Sequence, residues 1–293
     1  MENLDFLKDH IDLHMHTCYS DGSDTPSAIL KKVKEKGIKL FSVTDHDGIR
    51  GALSVMKILK PGDPAFICGA EFSCKDALGK YHILGYGYRP YSKYINELVG
   101  YGHQLRIKKV AARLDFIKNE FGFCFPEREI EKIFKLTNPG KPHIGNLMVK
   151  YGYADSKESA IELYINKCDV ADDYVLPETA IQQILKSGGI PVLAHPVYGN
   201  GDQMILGEAL RDRVLRLKKT GLKGLECFYS ANLPRYTAET LSIAEELGLY
   251  VTCGSDYHGS NKLVCLGDIS VDAFDDPPKG LVDFCRDVRK IVV

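Results

Sequence analysis

Short β-rich runs alternate with amphipathic helical runs along most of the chain. The first strand is expected over His10–His16, IDLHMH, with Ile11, Leu13 and Met15 on one face and His14 and His16 on the other. A helix follows, with Thr25 as its N-cap, Pro26 at its first position and Gly37 as its stop. KLFSVT (39–44) predicts the next strand and GIRGALSVMKIL the next helix, and PGDP then breaks the chain. AFICGAEFSC pairs with KYHILGYGY across a turn at Asp76–Gly79. Later come the strand GIPVLAHP, a helix near 202–219, the strand GLKGLECF, a helix near 232–247, the strand LYVTCGSDYH and a closing helix over 279–290.

Between Ser92 and Thr179 the strand signal disappears, and helical stretches are expected at 92–121, 127–136, 142–151 and 156–167. An insert of that length is too long for a simple connection, which predicts a helical subdomain or lid over 92–179. The flanking segments, 1–91 and 180–293, read as one α/β layer or barrel with a mainly parallel sheet.

Composition narrows the function classes. Of 293 residues, 44% are hydrophobic and 26% charged, the balance of a folded globular chain. With 38 Lys+Arg against 39 Asp+Glu, an extended electrostatic grip on nucleic acid is not expected. No apolar run approaches the roughly 18 residues of a membrane span. MENLDFLKDH lacks the apolar stretch of a signal peptide. The nine cysteines include no C-x-x-C and several sit in apolar runs, so buried reduced thiols and a cytoplasmic location are expected. Cys18, Cys74 and Cys253 lie near the histidine motifs in sequence, but without the spacing of a zinc finger. The sequence does not fix an oligomeric state.

The histidines are unevenly placed. His14, His16, His46, His82, His195 and His258 fall where an apolar strand gives way to a turn, joined by Asp21, Glu71 and Asp256. In a parallel β/α fold such strand ends converge on one face, where sites are built. At roughly four to five ligands per ion, these nine donors suit two or three divalent ions rather than one. A His and carboxylate set favours Mn²⁺, with Zn²⁺ or Fe²⁺ as alternatives. Asp47 is also placed to cap the helix that follows it. His10 and His103 have no comparable setting and read as structural or surface groups.

The motifs D-L-H-M-H-T, Y-S-D-G, T-D-H-D, G-A-E-F-S, L-A-H-P and G-S-D-Y-H, in that order, resemble the polymerase and histidinol phosphatase (PHP) family. The resemblance implies a distorted (β/α)7 barrel with an inserted helical subdomain, a trinuclear metal centre and phosphoesterase activity. By residue-to-residue carry-over, His14, His16, Glu71 and Asp256 hold one ion. Glu71 bridges to a second, held also by His82 and His195, while Asp21, His46 and His258 hold the third. Among them Glu71, His195 and Asp256 are expected to carry catalysis. The chemistry implied is hydrolysis of a phosphate ester by metal-activated hydroxide, with no covalent Ser or Cys intermediate.

Within the family the chain is most similar to the subgroup that cleaves nucleoside 3′,5′-bisphosphates and trims short 5′-phosphorylated RNA. The implied partner is therefore a small phosphorylated nucleotide or a short RNA 5′ end. Histidinol-phosphate phosphatase and a non-catalytic metal-binding module are the alternatives. A second phosphate needs its own cations, and the helical segment offers two groups. Arg106, Lys109 and Arg113 share a helical face in QLRIKKVAARL, and Lys141 and His143 sit at a helix start in NPGKPHIGN. Lys141, His143, Arg106 and Arg113 are thus the expected substrate-binding residues. Lys141 stands where the subgroup more often has Arg.

Overall fold

The computed structural model describes residues 11–169, 173–198, 204–270 and 276–292. His10 lies outside the described residues, as do 202 and 203 of the helix expected near 202–219. The chain divides into two compact units, Met1–Val99 with Val175–Val293, and Gly100–Tyr174.

The first unit is built on seven strands in sequence order: β1 (Ile11–Asp12), β2 (Leu40–Val43), β3 (Ala65–Asp76), β4 (Gly79–Tyr86), β5 (Ile190–Leu193), β6 (Gly224–Tyr229) and β7 (Tyr250–Gly254). β4 runs antiparallel to both of its neighbours and the other pairings are parallel. The two edges approach each other: Leu13 N–H donates to the Cys253 carbonyl at 3.1 Å, and Met15 bridges Tyr257. The sheet is thus a nearly closed, distorted barrel, as the PHP resemblance implies.

The expected first strand is regular only at Ile11–Asp12. Beyond it the backbone alternates its partners. His14 N–H turns to the Asp12 carboxylate at 3.2 Å, Met15 O accepts from Thr44 N–H at 2.9 Å, and His16 N–H donates to Tyr257 O at 2.8 Å. Ile11, Leu13 and Met15 are fully buried, and so are His14 and His16.

Helices cover the sheet where amphipathic patterning places them. α1 (Pro26–Glu35) is capped by Thr25, whose hydroxyl accepts from Ala28 N–H at 3.3 Å, a contact that contributes about 1 kcal/mol. α2 (Arg50–Ile58) has Ile49 at its N-cap and no side-chain cap. Asp47 instead accepts from Ser73 N–H at 2.9 Å, so it does not cap this helix. α3 (Lys93–Phe121) runs through the unit boundary, with Ile95 and Leu98 buried in its first turns.

In the second unit, α3 is followed by α4 (Glu127–Phe134), α5 (Lys141–Lys150), α6 (Lys157–Leu163) and a 3-10 turn at Ile165–Lys167. Val110, Ile117, Ile133, Ile144 and Met148 form the core of this unit. α7 (Pro177–Lys186) packs on β3, β4 and β5 of the first unit, where the sequence pattern assigned no helix. Pro177 opens it, and its apolar positions Ala180, Ile181 and Ile184 are fully buried. α8 (Gly207–Lys219), α9 (Pro234–Glu246) and α10 (Lys279–Asp287) complete the first unit. No helix among the described residues is long and apolar enough to cross a membrane.

Candidate metal centre

Seven of the nine donors are presented by short segments that follow β1, β2, β5 and β7. Three of these segments carry strained backbone: His195 has φ 20°, Asp256 φ 57° and Asp47, beside His46, φ 49°. Such conformations cost about 1–3 kcal/mol each and persist where surrounding bonds enforce them. Here Asp256 N–H donates to His14 O at 2.8 Å, and His195 N–H to Glu226 Oε2 at 2.9 Å. At Gly254 a Cβ would lie 2.1 Å from His14 Cβ, so β7 requires glycine where it passes the segment that follows β1.

Glu71 and His82 do not sit at strand ends, contrary to the sequence expectation. Glu71 is in the middle of β3 opposite Leu84, and His82 is on β4 opposite Ser73. The β3–β4 hairpin continues past the end of β2. That brings Glu71 level with the residues after β2, where it bridges His46.

All nine expected donors converge. They fall into four overlapping groups: His14, His16 and Asp256; His14, Glu71 and His195; His46, Glu71 and His82; and His16, Asp21, His46 and His258. Within each group the donor atoms lie within 4.8 Å of one another. Glu71 is the hub. Its Oε1 is 2.8 Å from His82 Nδ1 and 2.9 Å from His195 Nε2. Its Oε2 is 3.1 Å from His46 Nδ1 and 3.2 Å from both His14 Nε2 and His16 Nε2. Asp256 Oδ1 lies 3.3 Å from His16 Nε2 and 3.6 Å from His14 Nε2. Asp21, half-exposed, approaches His258 at 3.3 Å, His16 at 3.4 Å and His46 at 3.6 Å.

The donor set fits divalent ions. His14 Nε2, His16 Nε2, His46 Nδ1, His82 Nδ1 and Glu71 Oε2 are buried without a hydrogen-bond partner, and all face this cluster. Five such atoms in one place are costly unless something else satisfies them. The opposite ring edges are partly spoken for. His14 Nδ1 is 2.9 Å from Glu226 Oε1, and His258 Nδ1 is 2.8 Å from the Asp256 carbonyl, which leaves each Nε2 lone pair facing inward.

Burial alone would depress the imidazoles. For His14 it is overridden by Glu226, Glu71 and Asp256, and for His16 by Asp21, Asp256 and Glu71, so both are held well above the ordinary range. At His46 burial wins and the value falls to about 4. Against the pull of burial, His82, His46 and His14 hold Glu71, and His14 and His16 hold Asp256, well below the usual carboxylate range.

Residues that the sequence reading passed over complete the site. Glu226, fully buried in β6, holds both His14 and the backbone of His195. Asp45 accepts from Thr17 N–H at 2.7 Å, Thr17 Oγ1 at 2.8 Å and Ser20 Oγ at 2.7 Å, which orders the turn leading to Asp21. Asp12 accepts from Ser255 N–H and Gly267 N–H and fixes the segment before Asp256. Tyr229 donates to Asp256 Oδ2 at 2.8 Å, and Lys262 also contacts that oxygen. The one available signal was a carboxylate inside an otherwise apolar strand, as in LECF.

Cysteine takes no part in the four groups among the described residues. All nine thiols are free; Cys68, Cys74, Cys227, Cys253 and Cys285 are buried, whereas Cys18, Cys124 and Cys265 are exposed, against the expectation of core placement.

The expected substrate-binding residues lie in the second unit. Lys141 Nζ donates to Asn166 Oδ1 at 2.7 Å. His143 Nδ1 accepts from Gly140 N–H at 3.2 Å and so closes the start of α5, and burial with the nearby Arg106 guanidinium holds it below its ordinary value. Lys109 is buried with its Nζ 3.5 Å from the Tyr174 ring centre. Arg106 and Arg113 are half-buried, and Arg113 Nε has no hydrogen-bond partner. His103 faces the Thr137 carbonyl at 3.2 Å.

Comparison with known proteins places the chain. A phosphoribosyl 1,2-cyclic phosphate 1,2-diphosphodiesterase of Eggerthella lenta is 28% identical over 258 residues, covering 85% of this chain and 94% of the relative. A 3′,5′-nucleoside bisphosphate phosphatase of Chromobacterium violaceum is 25% identical over 257 residues, covering 85% and 87%. A solved structure from Bifidobacterium adolescentis, described as a metal-dependent phosphoesterase, shares the fold with a TM-score of 0.75 at 24% identity, covering 95% and 94%. The family model of the PHP domain matches residues 12–168, more than half of the chain, and this chain belongs to the PHP family.

Proposed function

We propose that this chain, a PHP-family metal-dependent phosphoesterase, hydrolyses phosphate esters of small nucleotides, with nucleoside 3′,5′-bisphosphates or short 5′-phosphorylated RNA as substrates. The observation that carries the reading is the set of five buried, unpartnered donor atoms, Glu71 Oε2 and four imidazole nitrogens gathered around the Glu71 carboxylate. In this reading His14, His16, Asp256 and Glu71 would hold one ion, Glu71, His82 and His195 a second, and Asp21, His46 and His258 a third. Mn²⁺ is the first choice for this donor set, with Zn²⁺ or Fe²⁺ as alternatives.

Bound divalent ions supply a Lewis acid that makes water nucleophilic near neutral pH and offsets charge on phosphoryl oxygens. The chain's own groups orient that chemistry. Glu226 fixes the His14 tautomer, and Asp45 holds the turn bearing Asp21. Tyr229, kept protonated by burial and by Asp256, donates to the outer oxygen of that carboxylate. We assign Lys141, His143, Arg106 and Arg113 of the helical segment to the non-reacting phosphate, because a bisphosphate needs cations beyond those that hold the reacting group. Nine unpaired cysteines accord with a cytoplasmic location.

A second reading, a phosphodiesterase acting on a cyclic sugar phosphate, is favoured by the 28% identical relative. One panel separates them. Phosphate release or ring opening is measured with Mn²⁺ on adenosine 3′,5′-bisphosphate, a 5′-phosphorylated oligoribonucleotide, phosphoribosyl 1,2-cyclic phosphate and histidinol phosphate. The bisphosphate or the RNA end should give the highest kcat/KM. A preference for the cyclic ester selects the second reading, preference for histidinol phosphate contradicts both, and a metal-loaded chain inert on all four is a binding module.

A further inference from the structure

Lys262 has no role in the ligand set, yet it stands directly behind one of its members. Its Nζ donates to Asp256 Oδ2 and, at 3.0 Å, to the Tyr229 hydroxyl. Tyr229 donates to the same Oδ2 at 2.8 Å. The other oxygen of that carboxylate, Oδ1, faces His14 and His16. A single carboxylate thus separates an ammonium group from the donor cluster.

The lysine is held in place from several sides. Its Nζ lies 5.4 Å from the Tyr198 ring centre and 5.6 Å from that of Tyr229. The segment leading to it is anchored by Ser260 N–H on Ser23 Oγ and by Asn261 Nδ2 on the Asp21 carbonyl, both at 2.8 Å. Two of the three N–H donors of the ammonium are used by Asp256 and Tyr229, and the side chain remains 27% exposed.

Charge then decides what such a group does. Two divalent ions would already balance the carboxylates of Asp21, Glu71, Asp256 and Glu226, so a further fixed cation beside them would leave the loaded site with excess positive charge unless an anion arrives. The same cation becomes favourable once a phosphate dianion occupies the rim. We propose that Lys262 is an anion-binding residue of this site, contacting a non-bridging oxygen of the phosphate ester. The assignment rests on the phosphoesterase reading. The competing role, holding Asp256 for the ions, predicts a different pattern.

Calorimetry on the full chain distinguishes them, with Mn²⁺ and inorganic phosphate as probes. Lys262→Met should bind Mn²⁺ within about threefold of the parent affinity, or more tightly, because a repelling charge is gone. On the Mn²⁺-loaded protein the same variant should bind phosphate about ten- to a hundred-fold more weakly, whereas Lys262→Arg should stay within about fivefold. Lys262→Gln repeats the test if the Met variant does not fold. Unchanged phosphate affinity in a protein that does load Mn²⁺ overturns the role of Lys262 alone. So does a loss of Mn²⁺ affinity in Lys262→Met, which would mean that the lysine serves Asp256. A parent chain that binds no Mn²⁺ removes the phosphoesterase reading and this one with it.

Discussion

Glu226 lies 2.9 Å from Nδ1 of His14, and both side chains are shut off from solvent. A buried carboxylate in the middle of an apolar strand is expensive unless it is paired, and its two oxygens serve two different candidate ligands here. Glu226→Ala should weaken Mn²⁺ binding by about ten- to a hundred-fold. It should also lower the stability of the metal-free fold by about 3 kcal/mol, because buried donors lose their acceptor. Metal titration and urea unfolding read the two effects separately, and an unchanged Mn²⁺ affinity would deny Glu226 its positioning role.

Glu71 offers each of its oxygens to a different set of histidines, so one substitution there disturbs two ions at once. Glu71→Gln should therefore reduce kcat more than removal of any single outer ligand such as His258. Near-normal turnover of Glu71→Gln at saturating Mn²⁺ would refute the bridge.

Proton release should accompany loading. His14 and His16 are held above their ordinary range by surrounding carboxylates, so the metal-free cluster carries protons near pH 7 that ions must displace. Apparent Mn²⁺ affinity should rise with pH by about tenfold per unit for each proton displaced, until the raised imidazole values are passed. Because these values are raised, the stability they contribute to the metal-free fold is full below the ordinary histidine value and is lost as pH rises from there through the raised values. Calorimetry in buffers of different ionisation enthalpy counts the protons, and binding heats independent of buffer would contradict the scheme.

How much of this was legible in the chain follows from periodicity. His14 and His16 share a face because a two-residue spacing in extended backbone puts them there, and the donors were visible as His and carboxylate residues where apolar runs give way to turns, with Asp21 in the turn YSDGSD. Glu71 and His82 were read at strand ends because GAEF and KYHIL look like short strands; the length of the hairpin that carries them past the rim depends on pairing, which local pattern does not encode. Glu226 sat in plain view in LECF but had no partner until β6 and β1 were brought together across the barrel. Lys262 follows His258 closely in sequence, yet its contact with Asp256 depends on the anchored 3-10 turn Gly259–Asn261 between them. Helix α7 was missed because it straddles the boundary drawn at Thr179 between the helical insert and the resumed strand pattern, where no element was assigned.

The helical segment should govern substrate choice and not metal content. Lys141→Ala and His143→Ala should raise KM for a nucleoside bisphosphate, with kcat/KM falling about ten- to a hundred-fold. p-Nitrophenyl phosphate, which has no second phosphate, should be affected much less. Equal losses on both substrates would assign these residues to the reacting phosphoryl group or to the fold.

Nine side chains with Glu71 at their hub would form a multinuclear site, and a count of ions tests this most directly. Protein stripped of metal, reloaded with excess Mn²⁺ and desalted should retain two to three equivalents by elemental analysis, a content set by roughly four to five ligands per ion. A folded chain that retains at most one equivalent would contradict it.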